Sequence, residues 1–157
     1  MSDKSPCGYT DQRVIYGKIG MADGIESILY NGTEVACVYR KDLPVSGLRF
    51  LTPNSYPFQI GIHERPKGTN IKAHLHNCPK PIEVTEIQEF LYVVWGSITV
   101  TILTEDKTVI DTKILGPGDS ILLCTPAHRV EFSEDARIIE LKQGPYPGPE
   151  YAKRYLE

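Results

Sequence analysis

Apolar residues in this chain come in short alternating runs, none long enough to build a helix of the usual length. Segments rich in Val, Ile, Tyr, Phe and Thr recur and are punctuated by Gly, Pro, Asn and Asp. Read as strands, they fall at about residues 13–19, 27–30, 34–39, 58–63, 71–76, 89–94, 97–103, 108–115, 120–124, 129–132 and 137–142. Asn31-Gly32 is a tight-hairpin signal. Trp95-Gly96-Ser97 and Glu105-Asp106-Lys107 read as hairpin connections, and Pro117-Gly118-Asp119 as a tight turn. No stretch holds a helical period beyond two turns, and only the tail 150–157, after Pro149, is expected to form a short helix. Many short strands at regular spacing predict an all-β fold, a sandwich, jelly roll or barrel with few or no helices.

Candidate chemistry lies within that pattern. His74 and His76 form an H-x-H pair in the run Ile-Lys-Ala-His-Leu-His. On a strand, positions two apart share a face, so both imidazoles point the same way. Glu89 opens the run Glu-Phe-Leu-Tyr-Val-Val-Trp, and His128 follows a third apolar run after Pro126-Ala127. Three imidazoles and one carboxylate suit a single divalent ion: iron, manganese, nickel, copper or zinc. Without an ion, drawing these groups into an apolar interior costs roughly a few kcal/mol each. A lone histidine is more often a satisfied polar residue than a ligand, but three of the chain's four histidines share this spacing.

The spacing resembles that of the cupins. Gly68, five residues and His74-x-His76 match the start of the first cupin motif, and Glu89, six residues and Gly96 match its end. Gly118-Asp119, a β-run and Pro126-Ala127-His128 resemble the second motif, and Arg65-Pro66-Lys67-Gly68-Thr69 resembles the Pro-x-Gly turn that leads into the H-x-H strand. The resemblance covers about residues 58–142. It implies a cupin-type double-stranded β-helix, a jelly-roll barrel, with His74, His76, Glu89 and His128 on one metal. Two departures stand out. Twelve residues, 77–88, separate the H-x-H pair from Glu89, more than the family usually has, and they include Glu83 and Glu86 as competing carboxylates. Cys124 stands where the second motif often has proline, and Phe132 where it often has asparagine. Glu89 is favoured as ligand by its distance to Gly96 and its place at the head of a strand. The insert, anchored between two ligand-bearing strands, is expected to form a lid or rim at the pocket mouth.

On this reading residues 1–157 form one domain. Its barrel core spans about 58–142, extra strands occupy about 13–57, and the tail runs over 143–157. Leu91 and Val93 share the face of Glu89 and should line a substrate pocket. Lys72, on the face of the paired histidines, either enters that pocket or snorkels to the rim. His63 is read as structural or at the rim, within reach of a ligand. Glu140 and Lys142 share a strand face with Ile138, and are either a polar pair in the barrel mouth or an ordinary exposed pair.

The resemblance implies a metal-dependent enzyme acting on a small polar, carbohydrate-like metabolite, by oxidation with O₂ or by isomerase, epimerase or lyase chemistry. The alternative is a non-catalytic binding module with a structural metal. A metal-free sugar-nucleotide epimerase of the same jelly-roll type would need a His–Asp type acid–base arrangement, and none is found in the sequence.

Composition narrows the partners. With 17 Lys and Arg against 20 Asp and Glu, a net charge of −3, and no basic stripe, nothing points to nucleic acid. No run approaches the ~18 apolar residues of a membrane helix, and the first residues lack the apolar core of a signal peptide, so a cytoplasmic location is expected. The four cysteines show no C-x-x-C spacing and read as free, mostly buried thiols. Small barrels of this kind commonly pair, so a homodimer binding a small-molecule ligand is the expected assembly.

Overall fold

The computed structural model of the chain describes residues 24–77, 83–124 and 127–156. Among them are ten strands and one short helix. The strands are β1 (Ile25–Tyr30), β2 (Thr33–Tyr39), β3 (Gly47–Phe50), β4 (Gly61–Glu64), β5 (Glu89–Trp95), β6 (Ile98–Leu103), β7 (Val109–Leu115), β8 (Ser120–Leu123), β9 (Ala127–Phe132) and β10 (Arg137–Lys142). The helix, α1, spans Pro149–Ala152. No helix among the described residues is long and apolar enough to cross a membrane.

Three antiparallel sheets result. The largest has the order β1-β2-β8-β5-β10, the second β7-β6-β9, and β3 pairs only with β4. Sequence-distant neighbours are central: β2 joins β8, and β5 joins both β8 and β10. One apolar cluster draws on both larger sheets, with Val38, Leu91, Val93 and Ile121 from one and Val100 and Ile102 from the other. The two sheets therefore pack face to face as a sandwich. Burying each such side chain contributes roughly 1.5–3 kcal/mol, and Ile102→Ala would cost about 2–5 kcal/mol.

The strand patterns follow position. In β5, Leu91 and Val93 are buried while Tyr92 and Val94 are exposed, the alternation of a strand with one covered face. All four residues of the central strand β8 are buried, so no alternation survives there. A smaller cluster on the other face of the large sheet contains Cys37, Tyr39, Leu122 and Cys124. Both thiols are free, and burial pushes each up to about 11, which keeps them protonated and unreactive at neutral pH.

Turn chemistry was largely legible. Asn31 and Gly32 both adopt positive φ between β1 and β2, as a primed hairpin turn requires. Gly68, also at positive φ, follows Pro66 and Lys67 in a turn closed by Thr69 N–H donating to the Pro66 carbonyl at 3.2 Å. Three expectations need correction. Trp95-Gly96-Ser97 is no hairpin: β5 and β6 lie in different sheets, so the turn is a corner between layers. Gly96 has φ 76°, and a Cβ there would sit 2.3 Å from the Asp135 carbonyl oxygen, so only glycine fits. β3 falls where no strand was expected, because its residues mostly face solvent and leave little pattern. Finally, residues 71–76 form no strand. Their alternation is real, but no described strand pairs with them, and an unpaired extended segment gains no ladder hydrogen bonds. The expected strand at 13–19 lies outside the described residues.

Candidate functional site

The strand registers carry polar groups into one end of the sandwich interior. On β5, Glu89 shares the inward face of Leu91 and Val93. On β10, Lys142 lies opposite Glu89, Glu140 opposite Leu91, and Ile138 opposite Val93. From the facing sheet, His128 on β9 lies opposite the fully buried Ile102 of β6, which aims it inward. His128 Nε2 and Glu89 Oε1 are 3.6 Å apart, with the side chains 26% and 13% exposed. Lys142 Nζ donates to Glu140 Oε1 at 2.7 Å. The His128 imidazole beside it, with Lys142 and Lys153 farther off, holds the Glu89 carboxyl below its usual value against the opposing effect of burial.

These residues border a cavity of about 970 Å³, toward the upper end of the range for small-molecule sites. Glu89, His128, Glu140 and Lys142 supply its polar part, while Leu91, Val130, Phe132 and Ile138 form apolar wall. The tail completes it, since Ala152 to Leu156 also line the space. Arg154 Nη2 pairs with Glu105 Oε2 at 3.1 Å, tying the tail to the β6–β7 turn.

The anticipated residues divide between this cavity and other places. Glu89, Leu91, His128 and Glu140 line it; Val93 is instead fully buried in the core, one strand step deeper. His63 lies opposite Leu48 in the small β3–β4 sheet, and Lys72 is exposed; neither is a cavity residue. Of the three competing carboxylates, Glu89 stands beside His128, whereas Glu83 and Glu86 are exposed. Ile87, near the end of the insert, borders the cavity; residues 78–82 lie outside the described part. His74 and His76 stand together with ring centroids 5.0 Å apart, on an exposed segment without regular structure. The Nδ1 of His74 is 2.8 Å from the Lys72 carbonyl oxygen. Among the described residues, no three His, Cys, Asp or Glu side chains gather into a metal-binding group. The four expected ligands thus form two pairs, not one cluster.

The Glu89–His128 pair can be tested against the ion it is expected to share. Two ligands each about 2.0–2.1 Å from one ion stand roughly 3–3.5 Å apart. The observed 3.6 Å is within a few tenths of that, so the pair fits joint ligation with a small adjustment. Without an ion, the same pair is an imidazole beside a carboxylate at 3.6 Å, just beyond direct hydrogen-bond distance, a His–Glu pair in place of the His–Asp arrangement not found in the sequence. The tail's contribution was equally hidden, because no local pattern ties residues 152–156 to a cavity built by β5, β9 and β10.

No protein-family model, curated protein or solved structure matches the chain.

Proposed function

We propose that this chain is a metal-dependent, cupin-like enzyme acting on a small polar metabolite, with His74, His76, Glu89 and His128 as ligands of one divalent ion. The observation that carries the reading is the Glu89–His128 pair at the polar end of a ligand-sized cavity between two sheets. The other two ligands need a strand to arrive on, and β9 offers an edge for one. In the order β7-β6-β9, β9 is unpaired on its outer side among the described residues. The segment 71–76 has the matching alternation, and its apolar face is uncovered, with Ile71 57% and Leu75 90% exposed. Paired with β9, that segment would place His74 and His76 on the side of the sheet that His128 faces, with Ile71 and Leu75 on the opposite face. This closure turns the sandwich into the jelly-roll barrel that the motif resemblance implies.

When bound, the ion would act as a Lewis acid toward a substrate carbonyl or carboxylate, or as a site for O₂. The chain's own groups orient the substrate: Leu91, Val130 and Phe132 form an apolar wall, and Glu140 and Lys142 offer hydrogen bonds. A carbohydrate-like substrate suits this mixture. Metal content and turnover of Glu89→Gln and His128→Ala test the reading: both variants are expected to lose the ion and the activity while staying folded. A sealed, catalytically silent metal would favour the binding-module alternative.

The same pair favours a second reading. An imidazole beside a carboxylate can act as a general acid–base, able to move a proton next to a carbonyl without any metal. Activity that survives exhaustive chelation, yet is lost in His128→Ala, would select it.

A homodimer in the cytoplasm completes the proposal. Its support is the thin β3–β4 sheet with Phe50 58% exposed, and sedimentation equilibrium tests it, since a 17.6 kDa species alone would contradict it.

A further inference from the structure

The charges around the cavity differ from those of the whole chain. Overall, acidic residues outnumber basic ones by 20 to 17. Along the cavity the balance reverses: Lys107, Arg129, Lys142, Lys153 and Arg154 face only Glu89 and Glu140. Lys142 pairs with Glu140 and Arg154 with Glu105. Lys153 forms no ion pair among the described residues, yet it lies close enough to act on Glu89. Lys153 is exposed and Lys142 half-buried, so their pull on an opposite charge acts largely through solvent and weakens with salt.

The source of these cations matters as well. Lys153 and Arg154 come from the tail, which follows the short helix α1 and lies against the cavity between two sheets it does not belong to. The Arg154–Glu105 pair, with both side chains mostly exposed, brings it to the β6–β7 turn, on the sheet opposite Lys142. The cavity therefore has one lysine on the β10 side, Lys142 in its pair with Glu140, and another on the tail, Lys153.

We propose that the C-terminal segment 149–156 is part of the binding site and that Lys153, with Lys142, forms a positive wall for the anionic group of a small organic acid or phosphate ester. The apolar wall of Leu91, Val130, Phe132 and Ile138 takes the carbon skeleton of the same molecule. The inference rests on the cavity being the ligand site, as in the function proposed above, but it does not require the metal.

The test is a titration of ¹⁵N-labelled, chelator-treated protein with succinate, with inorganic phosphate and with neutral glycerol, followed by amide shifts. Succinate, phosphate or both should bind saturably, with shifts at Glu89, Lys142 and Lys153 and an affinity that falls as salt rises; glycerol should not. Whichever anion binds more tightly identifies the head group. Lys153→Gln should weaken binding at least about fivefold, near 1 kcal/mol, and ending the chain at Gly148 should weaken it further, with the amide spectrum of the core retained. No saturable binding of either anion, or unchanged affinity in Lys153→Gln, overturns the proposal. Metal content is measured on the same samples. Anion binding by metal-free protein keeps this inference even if the metal assignment falls, and metal binding without anion binding sinks this inference alone.

Discussion

Two groups of charged side chains flank the short strand β8, and they are built on opposite principles. Before its start, Arg40 pairs with Glu26 at 2.7 Å and with Asp119 at 2.9 Å. Lys113 joins Glu26 at 3.2 Å and Asp111 at 3.0 Å. Asp119 also accepts the backbone N–H groups of Lys41 and Gly116, and Arg40 donates to the Ile114 carbonyl. In this network each charge meets an opposite one and the hydrogen-bonding capacity is largely used. At the other end, Glu89 lies opposite Leu123 and faces His128 across a cavity. There the pair adjoins open space. A saturated network binds sheets and turns together and has little left for a ligand. A pair that borders a cavity stays within reach of a ligand.

The largest effect should come from opening the saturated network. Arg40→Ala leaves two mostly buried carboxylates without their main partner and is expected to cost about 2–4 kcal/mol in urea unfolding. Glu89→Gln should cost less than about 1 kcal/mol, because His128 and burial act on its carboxylate in opposite directions, with His128 ahead. Equal losses in the two variants would erase the distinction. Gly96→Ala tests the corner between the sheets. A Cβ against the Asp135 carbonyl at a positive φ should cost at least about 1–3 kcal/mol by the same assay.

The network also predicts a pH dependence. Burial alone would raise the carboxyl of Glu26, but Arg40 and Lys113 together hold it below its ordinary 4.5. A folded-state value below the unfolded one means that Glu26 contributes stability fully above the ordinary value. That contribution is lost as pH falls from there through the depressed folded value. Thermal melts from pH 7 to pH 3 should therefore fall more steeply for the native chain than for Glu26→Gln, and parallel curves would contradict the assignment.

A smaller effect concerns the segment 71–77. If it adds to the free edge of β9, a bound ion should slow hydrogen exchange at its amides and along β9, leaving the Arg40 network unchanged. Unaltered exchange in the metal-loaded protein would place His74 and His76 outside the site.

Several of these features could be read from the residues. Strands buried on one face, such as β5, reveal themselves by alternation, and turns needing positive φ reveal themselves by Asn31-Gly32, Gly68 and Gly118. Period and spacing put Glu89 and Glu140 on faces that do meet, because a two-residue repeat fixes which side chains share a surface. Other features depend on distant pairing. The alternation of 71–76 marks a segment suited to a sheet without saying whether a neighbour is present. The Trp95–Ser97 turn looks the same whether it closes a hairpin or a corner. The carboxylate–imidazole pair of Glu89 and His128 joins residues 39 positions apart on different sheets, and the tail's place at the cavity depends on one ion pair 49 residues long in sequence, Arg154 to Glu105. Local pattern holds no record of such contacts.

Metal content tests the central claim most directly. Protein purified without added metal, exposed in turn to iron, manganese, nickel, copper and zinc and then freed of excess, should retain about one divalent ion per chain by elemental analysis, the stoichiometry of a single site. The folded variants Glu89→Gln and His74→Ala/His76→Ala should both lose it. A native chain that retains none of the five, or a His74→Ala/His76→Ala protein that keeps full occupancy, would contradict the account.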